Sequence, residues 1–351
     1  MSNHSLRINL SRLKIDDLPS IFLSDDRGLL EDMAQAAQDL TRQYFGRVIS
    51  LYAPLYIANF CQNQCAYCGF QAANTDIPRK KLTAAEIDRE CEALAATGIR
   101  SCLILTGESR DHSPPSYIRD AVVIAGRHFP HVALEVYPLE TDEYRDLYRA
   151  GADGVTLFQE TYDRKRYDEL HIKGPKKHYD YRFQGPERIA GAGFRQISMG
   201  VLLGLADWRK DVPELFRHLR YLEKTYPGVE YTLSFPRLRP VSNDDRAYFA
   251  VSDRDMVKII CAGRLLFPKA GINISTRESP VFRDRILGLG VTRMSAGSLT
   301  TVGGYRDSIR EHQENGQFRI SDPRSLAEIK SMLKAKGYDP VVTDWRNIVN
   351  E

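Results

Sequence analysis

Long apolar runs are missing from this chain. No stretch of its 351 residues approaches the roughly 18 consecutive apolar residues of a membrane-spanning helix. The first residues, MSNHSLRINLSRLK, also lack the apolar centre of a secretory signal. A soluble, cytoplasmic protein is the expectation. Excess charge of one sign is missing too. Lys and Arg number 49 against 46 Asp and Glu, a formal net charge of +3. That is too small and too evenly scattered to argue for a nucleic acid or a membrane surface as partner. Cysteine is scarce, with six in all. Cys91, Cys102 and Cys261 lie far apart in apolar or helical contexts and read as buried, inert thiols, not as a disulfide framework. No sequence period recurs, which excludes a solenoid.

What remains is an ordinary globular composition, 42% hydrophobic and 27% charged, sufficient for a sizeable core. Gly28 to Phe45 carries apolar residues at helical spacing, after an irregular polar segment over residues 1–26. A β-prone run, VISLYAPLYIANF, follows Gly46. Thr83 then reads as a helix N-cap with Glu86 three residues on and Gly98 as the stop. The alternation continues. Strands are expected at 101–107, 133–138, 154–160, 197–204, 229–235, 272–276 and 291–297, with helical patterns between them. A polar insertion, HIKGPKKHYDYR, interrupts the series after the fourth strand, and its His171 and His178 read as solvated. Eight strands alternating with helices define the α/β class and predict a closed (β/α)8 TIM-type barrel; a doubly wound open sheet is the alternative. The expected organisation is an N-terminal segment and helix (1–45), the barrel (46–300) and a short C-terminal α/β appendage (301–351). In the appendage, Ser321 is read as the N-cap of a helix to about Lys336, before a strand PVVTDW.

Three of the six cysteines fall in one stretch, PLYIANFCQNQCAYCGF, as Cys61, Cys65 and Cys68 in the spacing C-x3-C-x2-C. Three thiolates on one loop suit a [4Fe–4S] cluster whose fourth iron stays open to a small molecule. Structural zinc wants four closed ligands, and neither a nearby His nor a second C-x-x-C pair is present to complete them. In a barrel of this type the active site lies at the C-terminal ends of the strands. Those ends carry Gly107-Glu108, Glu140, Glu160, Arg237 and Arg239, Arg277-Glu278, and Ser295. Glu108, one strand beyond the cysteines, is a candidate acceptor for a cofactor amino group. Arg277 suits bidentate binding of a carboxylate, with Glu278 or Asp284 as alternative partners. Arg237 and Arg239 are candidates for knitting loops together. Tyr56, on the first strand, is either core or a pocket residue.

The aromatic residue before the last cysteine and the segments LTGE, EVYPLETDEY, GVTLFQETYDRKRYDELHIKGPK, GLADWRKD, YTLSFPRLRP, STRESPVFRDR and GGY carry a resemblance. Over residues 50 to 305 or so, the chain resembles the aromatic amino-acid lyases of the radical S-adenosylmethionine (SAM) superfamily, most closely their tyrosine-cleaving branch. A hydrogenase-maturing branch shares most of these segments but has cysteines for a second cluster near its C-terminus; here none follows Cys261.

The resemblance implies a radical SAM barrel in which Cys61, Cys65 and Cys68 hold the [4Fe–4S] cluster and SAM binds its open iron. Glu108 matches the residue near the SAM amino group, and Glu160 with Arg182 matches a second patch of SAM contacts. Arg277 matches the grip on the amino-acid carboxylate, with Ser295 and Tyr56 lining the same pocket. The implied reaction splits SAM to methionine and 5′-deoxyadenosine and cleaves the Cα–Cβ bond of L-tyrosine to 2-iminoacetate and p-cresol, in thiamine biosynthesis. Another aromatic amino acid such as tryptophan is the alternative substrate. The implied partners are an electron donor such as flavodoxin or ferredoxin and a thiazole synthase.

Overall fold

The strand that leads into the cysteine loop is also the one that closes the barrel. In the computed structural model, which describes residues 9–239, 249–306 and 316–343, β1 (Val48–Ala58) is eleven residues long and its two halves have different neighbours. Ser50 to Tyr52 pair with β8 (Arg293–Ser295), and Ala53 to Ala58 pair with β2 (Ser101–Thr106). Between them run β3 (His131–Glu135), β4 (Gly154–Thr156), β5 (Gln196–Gly200), β6 (Glu230–Ser234) and β7 (Gly271–Ile274), each parallel to the next. The eight strands therefore form a closed parallel barrel, as the alternation predicts, and the open-sheet alternative is excluded. A ninth strand, β9 (Asp339–Val341), pairs with Val48 to Ser50, the part of β1 that precedes its pairing with β2.

The helices form where the sequence supplies both an apolar stripe and a start signal. Thr83 and Glu86 make the expected capping box for the helix Ala84–Ala96, with Thr83 N donating to Glu86 Oε2 at 2.7 Å. Ser252 with Asp255 does the same for Asp253–Leu266. The main core lies between the outer faces of the strands and the helix ring. It takes in Cys91, Cys102 and Cys261, and burial pushes the thiols of Cys91 and Cys261 up to about 12. All three are buried and free of disulfides, as expected. No helix among the described residues is long and apolar enough to cross a membrane.

Three expectations are corrected. The first residues are not irregular throughout: among those described, Leu10–Arg12 and Ile15–Asp17 form 3₁₀ turns and Leu18–Leu23 a short α-helix whose Ile21 and Phe22 enter the core. The insertion HIKGPKKHYDYR is not a plain polar loop: it follows directly on a helix, Arg164–Leu170, and itself forms a 3₁₀ turn, Pro175–Lys177, and the start of the helix Tyr179–Phe183. The C-terminal helix is Leu326–Ala335, four residues later than Ser321 would start it. Asp322 is drawn into a buried ion pair with Arg283, 2.5 Å apart, while the capping box of Ser325 and Glu328 supplies the stronger start signal. Residues 344 and 345 of the expected terminal strand lie outside the described residues.

Candidate active site

The cysteine loop leaves β1 and is fastened to the ends of its neighbours. Gly107, directly after β2, approaches so closely that a Cβ there would lie 2.3 Å from the Phe60 carbonyl oxygen. Only glycine permits that contact. The next residue's carbonyl, that of Glu108, accepts from Gln62 N at 2.7 Å. From the other side the insertion reaches back: Ala66 N donates to Leu170 O at 2.9 Å and Gln64 N to Lys173 O at 2.9 Å. Gly174, at φ +97, passes over Asn63 where any side chain would clash. Buried Asn63 ties both flanks together, donating to Glu108 Oε2 at 2.6 Å and accepting from Lys176 N at 2.8 Å. Arg79 closes the base of the loop with hydrogen bonds to the carbonyls of Asn59, Phe70, Gln71 and Asn74 at 2.6–2.9 Å.

Cys61, Cys65 and Cys68 border one cavity of about 110 Å³ together with Glu108, Glu160 and Arg182. Burial lifts the Cys65 thiol well above its usual range, while nearby Lys176 works in the opposite direction. No three His, Cys, Asp or Glu side chains among the described residues are grouped to hold a single metal ion. Three thiols around one cavity suit a cluster that takes three protein ligands. In the same wall Thr106 Oγ1 is buried without a partner, a polar atom left for a bound group.

Glu160 is held at φ +73, the one non-glycine residue with positive φ among those described. Strain of this kind persists where surrounding contacts over-determine it. Here those contacts are Lys176 Nζ at 2.6 Å and Arg182 Nη2 at 3.3 Å, both on Glu160 Oε1. Burial works to raise the Glu160 carboxyl, but the two cations hold it below the usual carboxylate range. The pairing of Glu160 with Arg182 is thus present, and Lys176 joins it. His171 is not solvated as expected. It is fully buried, accepts from Tyr67 OH at Nε2 (2.8 Å) and donates from Nδ1 to Tyr167 O (2.7 Å), a tautomer set by the carbonyl. His178 is exposed as expected.

A second cavity, of about 130 Å³, opens beside the first and holds Tyr56, Arg277 and Ser295. Neither Glu278 nor Asp284 pairs with Arg277: Glu278 takes Arg237, and Asp284 takes Arg324 at 2.9 Å. Arg277 instead lies over the ring of Phe318, 3.4 Å from its centroid. Arg239 Nε donates to the Arg277 carbonyl at 2.8 Å, so both of the paired arginines knit loops. Ser295 Oγ accepts from Thr276 N at 3.1 Å, which fixes the backbone just before Arg277. Tyr56 OH donates to Gln317 Oε1 at 2.7 Å, and Gln317 Nε2 lies 3.8 Å from Cys68 Sγ.

Sequence reasoning missed four of these residues. Asn63, Lys176 and Gln317 gave no signal, because their partners lie far off in the chain. Glu135 did give one: it is a lone carboxylate inside the apolar run ALEVYP, on β3, and it faces the cavity. Burial, with the charge of Glu160, lifts its carboxyl to about 7, against the pull of Arg277.

A closed (β/α)8 barrel with three cysteines on the loop after its first strand is the architecture of radical SAM enzymes. The radical SAM superfamily model matches residues 55–219, and the Biotin and Thiamin Synthesis associated domain matches residues 234–339. The chain is 40% identical over 339 residues to 2-iminoacetate synthase from Salmonella typhimurium, covering 96% of this chain and 89% of that protein. It is 25% identical to 3-methylornithine synthase from Methanosarcina acetivorans, over 92% and 94% of the two chains. The X-ray structure of the FeFe-hydrogenase maturase HydG from Carboxydothermus hydrogenoformans superposes with a TM-score of 0.88 at 33% identity, covering 94% of this chain and 76% of that one. The chain belongs to the radical SAM superfamily and, within it, to the family of the 2-iminoacetate synthases. It is a carbon–carbon lyase whose cofactors are a [4Fe–4S] cluster and SAM.

Proposed function

We propose that this enzyme cleaves the Cα–Cβ bond of L-tyrosine to 2-iminoacetate and p-cresol. The observation that carries this reading is a guanidinium, Arg277, without an ion-pair partner among the described residues, in a cavity next to the cysteine cavity. A group placed there without a carboxylate of its own is suited to bind one from a ligand.

When bound, the cluster and SAM supply the radical that takes a hydrogen from the substrate amine. The chain's own residues do the rest. Cys61, Cys65 and Cys68 hold the cluster. Glu108, kept in place by Asn63, accepts from the SAM amino group, and Glu160 with Arg182 forms the second SAM contact. Arg277 holds the substrate carboxylate, while Ser295 and Tyr56 shape the pocket around it. Orientation by this clamp selects the bond that breaks. Gln317 and Phe318 roof the chamber against water. A flavodoxin- or ferredoxin-like donor feeds the cluster, and a thiazole synthase consumes the unstable imine.

The test is anaerobic reconstitution with iron and sulfide, then incubation with SAM, dithionite and tyrosine. 5′-Deoxyadenosine and p-cresol are expected together. Deoxyadenosine without p-cresol, together with cleavage of tryptophan, would overturn the choice of substrate.

A further inference from the structure

Of the four charged side chains lining the central cavity, two are matched to each other: Glu160 and Lys176, 2.6 Å apart. The other two have no ion-pair partner among the described residues. One is Arg277, at the end of β7. The other is Glu135, at the end of β3, whose carboxylate makes no hydrogen bond or ion pair there. A half-buried carboxylate that lines a cavity and has no partner of its own is costly to keep charged, so its position calls for a ligand. Glu135 also borders the cysteine cavity and a third, smaller cavity of about 50 Å³ deeper in the barrel. It thus stands where the three meet.

We propose that Glu135 receives the α-amino group of the substrate, so that the zwitterionic head of an amino acid is bound between Glu135 and Arg277. This rests on the amino-acid substrate of the proposed function. The amine is favoured over the side-chain hydroxyl by position. The reacting N–H must face the cysteine side, and Glu135 shares that cavity with all three cysteines. Glu135 and Arg277 line the same cavity, so the two can serve the amino and carboxylate groups of one amino acid. A neutral phenol has other hosts below: Tyr52 and Asn273, hydrogen-bonded to each other at 3.0 Å, line the deeper cavity. One N–H held on Glu135 fixes rotation about the N–Cα bond and leaves another directed to the radical. The remaining groups acting on Glu135 are Glu160, Lys176 and Arg182, and Glu135 in turn acts on Tyr52 and Tyr56 of β1.

The test measures equilibrium binding to the full chain carrying its cluster and SAM. The probes are L-tyrosine, L-phenylalanine and 3-(4-hydroxyphenyl)propionate, which lacks the amine. Glu135→Gln is expected to weaken both amino acids by about 10- to 100-fold, the loss of one charged hydrogen bond. It leaves the propionate within about twofold. Glu135→Asp, which keeps the charge, is expected to lose less for the same two ligands. Iron content and SAM affinity identify a chain that has merely misfolded, and for such a chain Glu135→Asp carries the comparison. Unchanged tyrosine binding in Glu135→Gln overturns the inference. So does a loss shared by tyrosine and the propionate but not by phenylalanine, which assigns Glu135 to the phenol. A wild-type chain that binds neither amino acid removes the amino-acid reading itself, and this inference with it.

Discussion

A Cβ at Gly107 would lie 2.3 Å from the carbonyl oxygen of Phe60, one residue before the first cysteine of the cluster loop. The end of β2 and the start of that loop are therefore in backbone-to-backbone contact, and neither can shift without the other. Gly107→Ala is expected to push the loop off β2 at a cost of about 1–3 kcal/mol. Iron bound per chain after reconstitution should fall along with the melting temperature. Full iron content would show that the loop has slack the structure does not reveal.

Arg277 has no carboxylate of its own among the described residues, so its substitution strands no buried partner. Arg277→Ala should fold and load its cluster normally. Tyrosine cleavage is expected to drop by at least about 30-fold, the lower end for removing one partner of a buried charge pair. Cleavage of SAM without p-cresol should persist. Product analysis by chromatography separates the two, and an unchanged lyase rate would take Arg277 out of the pocket.

Lys176 is different, because it is matched. Glu160 keeps it charged although burial and Arg182 oppose that. Lys176→Met would leave Glu160 with Arg182 alone and weaken SAM binding by about 10- to 100-fold, the worth of a charged hydrogen bond. Equilibrium SAM binding to the reconstituted variant checks this.

Asp322 and Arg283 form a fully buried pair that fastens the C-terminal segment to the barrel, and Arg283 also donates to Ser295 O at 2.5 Å. Burial works to raise the Asp322 carboxyl, but Arg324 and Arg283 hold it below its ordinary value. The unfolded chain then binds the proton more readily than the folded one. The pair's contribution is complete above about pH 4 and drains away as pH falls through the lower folded value. Asp322→Asn should lower stability near neutrality by about 3–5 kcal/mol. It should also flatten the acid limb of a plot of melting temperature against pH. An acid limb as steep as in the parent chain would remove Asp322 from that role.

The barrel was legible because its evidence is local. Apolar runs alternate with helical stripes, and pairs such as Thr83 and Glu86 announce each start within four residues. The cysteine triad was legible for the same reason. What escaped is what the fold brings from afar or what competes. Ser321 is a competent N-cap, yet Asp322 beside it is claimed by Arg283, 39 residues earlier. His171 lies in a lysine-rich stretch and reads as solvated. Its burial depends on Tyr67, 104 residues away, offering a hydroxyl. Arg277 was legible as a type of residue at a strand end, but its freedom from Glu278 was not, since that depends on Arg237 taking the carboxylate first.

Gln317, which touches both Tyr56 and Cys68, lies 249 residues beyond Cys68 in the chain. At a synthesis rate of 5–20 residues per second, roughly 12–50 s separate the two on the ribosome. The cysteines thus leave the ribosome well before Gln317, the residue that lies against Cys68, has been made. Order of translation alone gives iron delivery a window in which the chamber is still open from above.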